Sequence, residues 1–178
     1  MNKLERNLID NILESEVKLG RPSTSITFYY PESSLTELLE CGTNELDSAI
    51  DEFKREEQNR LGNVVFEKSK DEKVRYAVRI SIEGLDWVHA HFKPSDFLNE
   101  FVMEIKKPDN SLENIAALFR RYSNEVIINK MSPDEWAFSF KDENIDPYIY
   151  HIEQSVFGLE YHRFTKESYK KMMNEEID

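Results

Sequence analysis

Cys41 is the only cysteine in the sequence and the first candidate for nucleophilic chemistry. A thiolate becomes reactive when a neighbouring base or a helix N-terminus lowers its pKa. Cys41 instead follows Glu40 at the predicted C-terminal end of a helix, where the helix dipole and the carboxylate both raise the pKa of the thiol. We therefore expect a packed turn residue, and a lone cysteine leaves no internal disulfide.

The histidines raise the question of a metal site. His89 and His91 lie two apart in a predicted helix, so their side chains point about 200° apart and cannot share an ion as an i, i+4 pair does. His151 and His162, the latter near Glu160, would come together only through the tertiary fold. We therefore expect surface or helix-end histidines and no metal site.

Other catalytic signals are equally weak. The carboxylate pairs Glu56–Glu57, Asp71–Glu72 and Asp142–Glu143 fall at predicted helix ends or in loops, without the apolar surroundings that raise the pKa of a general acid. The chain has five glycines, and none has the spacing of a nucleotide-binding loop. The sequence therefore predicts no enzyme, no catalytic residue and no cofactor.

Basic residues provide the remaining candidate contacts, either for nucleic acid or for an acidic partner. One group lies near the end of a predicted helix and the other in a predicted hairpin. The alternative is a hairpin whose charges only keep it soluble. The candidates are Lys54, Arg55, Lys68, Lys70, Lys73 and Arg75.

Apolar periodicity and turn signals predict the elements that would position these residues. In residues 1–92 they are a helix over 2–19 ended by Gly20, a strand over 25–30, a helix opened by a capping box at Ser34–Glu37, a helix capped by Thr43, and hairpin strands over 64–67 and 74–80. The second hairpin strand leads directly into another helix, with Ser81 as its cap and Gly84 at its third position.

This order, and the strand-to-helix junction over Tyr76–Val88 above all, resembles the winged helix-turn-helix superfamily. The resemblance implies that the third helix would lie in the DNA major groove, where its N-terminal residues read the bases, and that the hairpin would form a wing against the DNA backbone. We therefore predict a winged-helix domain over residues 1–92, with a three-helix core, a wing and a following helix.

The charge of the two helices that would face DNA disagrees with such a role. No basic residue lies between Arg21 and Lys54, and a carboxylate about 4 Å from a phosphate costs about 1 kcal/mol even in water. The net charge is −12 and the pI 4.9, whereas domains that bind nucleic acid usually have a pI above about 9. DNA binding is therefore disfavoured. The acidic residues in the segment are Glu32, Glu37, Glu40, Glu45, Asp47, Asp51 and Glu52.

Residues 93–178 predict a small α+β domain of order α-α-β-β-α-β-α. Its third helix is expected to begin at Asp146-Pro147, to carry Ile149, Ile152 and Val156, and to end at Gly158. On such a helix Tyr148 and Tyr150 cannot both face inward. Since aromatic side chains at a surface are typical of interface centres, we expect a protein interface, most simply in a two-fold dimer, formed by Trp136, Tyr148 and Tyr150.

Taken whole, the chain also resembles a family of bacterial proteins of about this length that is classed as a domain of unknown function, and this resemblance implies no functional residues. The single cysteine, the polar N-terminal segment and the lack of an apolar run long enough to span a bilayer predict a cytoplasmic protein without a membrane anchor. We expect a non-enzymatic winged-helix protein that binds a protein partner or itself. The alternative is a DNA-binding transcriptional regulator with a basic wing and a C-terminal sensing domain.

Overall fold

The computed structural model describes residues 1–177, with side chains as far as Asn174. The chain divides into two compact units, the first over Met1–Pro94 and the second beginning at Ser95. Each unit is a mixture of α-helices and one small antiparallel sheet. Among the described residues, no helix is long and apolar enough to cross a membrane.

The first unit contains four α-helices and a three-stranded sheet. β3 is the central strand, and it pairs antiparallel with β1 on one side and β2 on the other. A 3₁₀ turn over Thr43–Glu45 precedes the third helix. The elements are α1 (Lys3–Leu19), β1 (Ile26–Pro31), α2 (Glu32–Leu38), α3 (Leu46–Glu57), β2 (Val65–Lys68), β3 (Arg75–Ile80) and α4 (Ile82–His91).

The apolar faces of these elements meet in one core. The helical periodicity of α1 and α3 and the alternation of β3 place their apolar residues on one side. Gly20 ends α1 as predicted, with a positive φ that glycine adopts more readily than any other residue. The fully buried members of the core include Leu4, Leu8, Leu35, Leu46, Phe53, Val78, Ile80, Leu85 and Val88.

Two predicted helix starts in the first unit are wrong. α2 begins at Glu32, directly after Pro31, so Ser34 lies within the helix and does not cap it. Pro31 is the N-cap residue and has no side chain that can cap the helix, while Glu32 places a carboxylate in the first turn, where the helix dipole favours it. Thr43 does not cap α3, because the N-cap residue of that helix is Glu45. The Glu45 side chain closes the preceding 3₁₀ turn, where its Oε2 accepts a hydrogen bond from the Gly42 N–H at 3.1 Å.

The junction between β3 and α4 depends on close packing at Gly84. A Cβ at this position would lie 2.3 Å from the backbone oxygen of Leu61 and 2.8 Å from the Cγ2 atom of Ile80. Because neither a backbone oxygen nor a buried isoleucine can withdraw easily, only glycine allows α4 to approach this closely.

As far as the structure describes it, the second unit contains three α-helices and a four-stranded antiparallel sheet of order β4-β5-β6-β7. The sequence Lys93-Pro94-Ser95 predicts a helix capped by Ser95, and the structure confirms it, with Ser95 Oγ accepting a hydrogen bond from the Leu98 N–H at 3.1 Å. The elements are α5 (Asp96–Ile105), α6 (Leu112–Tyr122), β4 (Val126–Ser132), β5 (Glu135–Phe140), β6 (Ile149–Ser155), β7 (Gly158–Phe164) and α7 (Lys166–Ile177).

The helix predicted from Asp146 is wrong, because this segment is strand β6, and the order is α-α-β-β-β-β-α. Asp146 Oδ1 accepts from the Tyr148 N–H at 2.9 Å, which is an Asx turn and not a helix cap. After it, Tyr148, Tyr150 and Ile152 are buried while the residues between them are less so. This alternation of aromatic and β-branched residues is typical of a strand.

Aromatic rings form the core between the sheet and helices α5 and α6. Phe97 lies 4.9 Å from Phe140, and Phe101 lies 4.6 Å from Tyr150, between ring centroids. Phe119 stacks on Phe140 at 4.9 Å. Such pairs each contribute about 0.5–1.5 kcal/mol beyond the burial of their area. This core covers one face of the sheet, so His151, which lies between Tyr150 and Ile152, is on the other face.

The substitution Gly84→Ala tests the packing of the first unit. We expect it to lower the free energy of unfolding by about 1–3 kcal/mol, the usual cost of overpacking. Chemical denaturation measures the change. Ala90→Ser, at an exposed position on the same helix, is the control and should leave the free energy of unfolding nearly unchanged. Equal stability of the Gly84→Ala variant and the original protein would contradict the close approach.

Candidate functional site

The exposed face of α3 is acidic. Leu46, Ile50 and Phe53 bury the opposite face, and the Phe53 ring meets that of Phe66 edge-on at 6.0 Å. Lys54 is half-buried and Arg55 is exposed among carboxylates. The exposed residues of the helix are Asp47, Ser48, Asp51, Glu52, Arg55 and Glu56, which is four carboxylates and one base.

The other predicted basic contacts lie on the β2–β3 hairpin. Lys68 is 3.9 Å from the carboxylate of Glu32. Lys70, Lys73 and Arg75 are exposed, and among the residues that the structure describes their side chains have no ion-pair partner. The structure therefore brings four of the six predicted basic residues onto one hairpin and places Lys54 and Arg55 on α3.

The aromatic residues predicted to form an interface are in the core of the second unit. Trp136 is 5% exposed, Tyr148 7% and Tyr150 0%. The indole N–H of Trp136 donates to the Ser132 carbonyl at 3.0 Å. The expectation that both tyrosines cannot face inward assumed a helix, whereas residues two apart on a strand share a face. None of these rings presents a surface for a partner.

A different apolar surface lies at the turn between β6 and β7. Ser155 pairs with Gly158, so Val156 and Phe157 form a two-residue hairpin turn, and they are 95% and 94% exposed. Such turns usually contain Asn, Asp or Gly. The turn geometry therefore does not explain these residues. Val156 was expected on a helix, so this exposed pair was not predicted, although the period-two pattern before Val156 indicates a strand that leads into a hairpin.

Cys41 and the histidines of α4 have ordinary surroundings. Burial, and then the Glu45 carboxylate, raise the pKa of the half-buried Cys41 thiol, in the predicted direction. His91 stacks on Trp87 with ring centroids 4.7 Å apart. His89 Nδ1 lies 3.8 Å from a carboxylate oxygen of Glu16.

An open groove runs past the end of β3 and the start of α4. Every lining residue is exposed or half-buried, and its two charges, Arg79 and Glu83, are of opposite sign, so the groove selects neither an anion nor a cation. The lining residues are Ser25, Gln58, Gly62, Asn63, Val65, Arg79, Ser81 and Glu83.

Two buried carboxylates in the first unit were not anticipated. Glu57 was expected to be solvated, but it and Glu5 are both 0% exposed. Arg60 donates to Glu57 Oε1 at 2.7 Å and lies 3.4 Å from Glu5 Oε1. Burial, and then the neighbouring Glu5 carboxylate, raise the pKa of Glu57 against the opposing effect of Arg60. The single guanidinium of Arg60 thus lies within ion-pair distance of two buried carboxylates.

This arrangement predicts a pH-dependent stability. Because the folded protein holds a proton on Glu57 that the unfolded chain releases, the free energy of unfolding should fall as pH rises from the usual glutamate value of 4.5 through the raised pKa. Glu57→Gln should match the original protein at acid pH and be more stable at pH above the raised pKa, by about 1 kcal/mol or more. Urea denaturation across this range is the measurement.

The exposed neighbour Glu56 supplies the matched control, since Glu56→Gln removes the same charge without a change in burial. Its stability should follow that of the original protein at every pH. A Glu57→Gln variant whose relative stability decreases with rising pH would contradict the assignment.

Comparison with known proteins identifies a family and nothing finer. No curated protein and no solved structure matches the chain. One family does match, described as "Domain of unknown function, E. rectale Gene description (DUF3877)", over residues 1–173. Since the match covers nearly the whole of both units, the chain belongs to the DUF3877 family.

Proposed function

We propose that this chain is a non-enzymatic winged-helix protein that acts as a protein-interaction or regulatory module. The observation that carries the proposal is the charge of α3. In a DNA-reading winged helix this element would enter the major groove, and here four of its exposed side chains are carboxylates.

The topology of the first unit supports the winged-helix interpretation. Its element order is helix, strand, helix, helix, hairpin and helix, and the first strand pairs with the second strand of the hairpin in a sheet of order β1-β3-β2. A short connection with a 3₁₀ turn joins α2 to α3. The β2–β3 hairpin then corresponds to the wing, with Lys70 and Lys73 near its tip.

Electrostatics disfavours DNA on this surface. A carboxylate about 4 Å from a phosphate costs about 1 kcal/mol at the dielectric constant of water, and more once water is excluded. Asp47, Asp51 and Glu52 would all approach the backbone of a duplex if α3 lay in a groove, and Arg55 neutralises at most one of them. Repulsion of this size offsets the gain that a few wing lysines obtain from counterion release.

A protein partner accounts for the exposed turn in the second unit. Val156 and Phe157 expose almost their whole side chains to solvent. An aromatic anchor that enters a pocket on a partner is a usual centre of binding energy in protein interfaces. In this proposal the β6–β7 turn takes the role that the sequence assigned to Trp136, Tyr148 and Tyr150.

One observation favours a second candidate, a DNA-binding transcriptional regulator. Lys70, Lys73 and Arg75 are exposed and, within the described part of the chain, have no acidic partner. They could hold the phosphate backbone through the wing alone, with the second unit as the sensing domain. The two candidates predict opposite results in a DNA titration.

We expect the full chain to show no sub-micromolar binding to mixed genomic DNA fragments at about 50 mM salt, where even non-specific binders associate. Fluorescence anisotropy with labelled fragments measures this. The triple variant Asp47→Asn, Asp51→Asn, Glu52→Gln should bind more tightly than the original protein, because it removes three repulsive charges from α3.

The variants Lys70→Glu and Lys73→Glu are titrated with the same DNA fragments. Sub-micromolar binding by the original protein that weakens on either wing substitution would reject a protein module and favour the regulator. An unchanged affinity in the triple α3 variant would show that the acidic face is not what excludes DNA.

The partner is tested at the exposed turn. We expect Phe157→Ser to remove a specific associated protein, or self-association, that the original chain retains, because it deletes the aromatic anchor. Quantitative affinity enrichment and sedimentation velocity measure the two cases. Leu19→Ser is the matched control, since Leu19 is an equally isolated apolar residue, 85% exposed, in the first unit. An equal loss of association in both variants, or no loss in either variant, would contradict a contact at Phe157.

A further inference from the structure

Three potential metal ligands meet on the sheet of the second unit. Glu135 on β5 pairs directly with Glu153 on β6, and His151 lies two residues before Glu153. Residues paired across antiparallel strands point to the same face, as do residues two apart on one strand. All three side chains therefore lie on the face opposite the aromatic core of α5 and α6.

Their side-chain atoms are close together. His151 Nε2 lies 2.7 Å from Glu135 Oε1. One ligand atom from each of Glu135, His151 and Glu153 lies within 4.8 Å of the other two. The side chain of His151 is 13% exposed, that of Glu135 is 38% exposed, and Glu153 is exposed. Solvent, and an ion, can therefore reach the group from the Glu153 side.

The histidine ring is held in place by its neighbours. It packs near the rings of Phe164 on β7 and Tyr169 on α7, with centroids 6.5 Å and 6.2 Å away. The two glutamate side chains are more exposed than that of His151. A largely buried imidazole beside two more exposed carboxylates leaves the carboxylates room to change rotamer around an ion without movement of the backbone.

We propose that Glu135, His151 and Glu153 bind a divalent transition-metal ion of the Zn²⁺ class. Imidazole nitrogen with carboxylate oxygen is a ligand set that suits Zn²⁺ and its neighbours, whereas Mg²⁺ and Ca²⁺ prefer oxygen alone. In a tetrahedral zinc site, bonds of about 2.0–2.2 Å place neighbouring ligand atoms about 3.3–3.6 Å apart, so the exposed Glu153 closes the remaining distance by a change of rotamer. Water completes the coordination.

The metal takes the lone pair of His151 Nε2, so Nε2 cannot carry a hydrogen in the bound state. A neutral metal-bound imidazole has its one hydrogen on the other ring nitrogen, so a hydrogen on Nε2 is released to solvent as Nδ1 takes one up, and a ring with hydrogens on both nitrogens loses one to solvent. The Glu135 carboxylate oxygen that lies beside Nε2 then turns to the metal. Since proton and metal compete for the same nitrogen, metal affinity should fall as the solution is made acidic.

The surrounding charges favour a cation. On the neighbouring strand β7, Glu160 pairs with Glu153 and His162 pairs with His151, so a third carboxylate and a second imidazole lie on the same face. Tyr169 faces the histidine from α7. Carboxylates at three adjacent positions repel one another in the absence of a cation, and a divalent ion relieves that repulsion.

This inference is independent of the proposed function. The site lies on the second unit, whereas α3 and the wing belong to the first, and Zn²⁺ binding has its own readout. The metal site is compatible with a protein that binds DNA, and a negative result for Zn²⁺ binding would not bear on the proposed interaction module.

The test is a titration of the full chain with Zn²⁺ after removal of metals by a chelator. We expect saturable binding of one Zn²⁺ per chain below about 100 μM free ion, by calorimetry and by elemental analysis after gel filtration. The His151 ring nitrogens should shift in long-range ¹H–¹⁵N spectra. Mg²⁺ at the same concentration should not bind.

Two variants locate the ion. His151→Asn and Glu153→Gln should each weaken Zn²⁺ binding by more than about tenfold, since loss of even an outer-shell partner typically costs about 10–100-fold. Glu153 is exposed, so its variant keeps the test valid if His151→Asn does not fold.

Two controls separate ligation from general charge. Glu160→Gln removes the same charge one strand away and should have a much smaller effect than Glu153→Gln. His89→Asn, in the first unit, should have none. The proposal is overturned if no Zn²⁺ binds below about 100 μM, if Glu160→Gln and Glu153→Gln weaken binding equally, or if His151→Asn folds and binds as the original protein does.

Discussion

The alternation of side chains along strand β6 is the constraint on which most of the second unit depends. It turns Tyr150 and Ile152 into the aromatic core, where the Tyr150 hydroxyl donates to buried Asp146 at 2.7 Å. Burial, and then the Asp146 carboxylate, raise the pKa of that phenol well above its usual value, so it remains a donor. The same alternation turns His151 and Glu153 to the opposite face, beside Glu135. A shift of one residue in register would exchange the two faces.

The end of this strand also determines the exposed apolar turn. Because Ser155 pairs with Gly158, only two residues remain for the connection to β7, and neither Val156 nor Phe157 can fold back onto the sheet. An apolar pair that the fold cannot bury lowers solubility unless something else covers it. In the first unit the corresponding anomaly is electrostatic. In the proposed winged helix, the exposed carboxylates of α3 would occupy positions at which a DNA-binding protein carries basic or amide side chains.

Much of the mixed α+β architecture could be predicted because its signals are local. The periodicity of α1, the stop at Gly20, the cap at Ser95 and the junction through Ser81 and Gly84 each depend on residues within one or two turns of chain. The structure bears out these elements and the β2–β3 hairpin, although Ser81 occupies the N-cap position of α4 without a side-chain cap hydrogen bond. The winged-helix name and the function inferred from it remain proposals.

What could not be predicted depends on tertiary contacts. Asp146-Pro147 is compatible with a helix cap or an Asx turn, and pairing of β6 with β5 and β7 decides between them. Because the segment was expected to be a helix, Tyr148 and Tyr150 were predicted at the surface although they are in the core, and the turn at Phe157 was not predicted. The cluster around His151 arises from ligands on two different strands, which only strand register brings together. The buried pair of Glu57 and Glu5 likewise joins residues of two different helices, which share Arg60.

We propose that the acidic face of α3 excludes polyanions, so that the first unit serves protein contacts. Chromatography of the full chain on heparin, a polyanion without base sequence, tests this claim most directly. Our account predicts that the original protein passes through the column at about 50 mM salt, while the triple variant Asp47→Asn, Asp51→Asn, Glu52→Gln is retarded. Retention of the original protein until several hundred millimolar salt would contradict it.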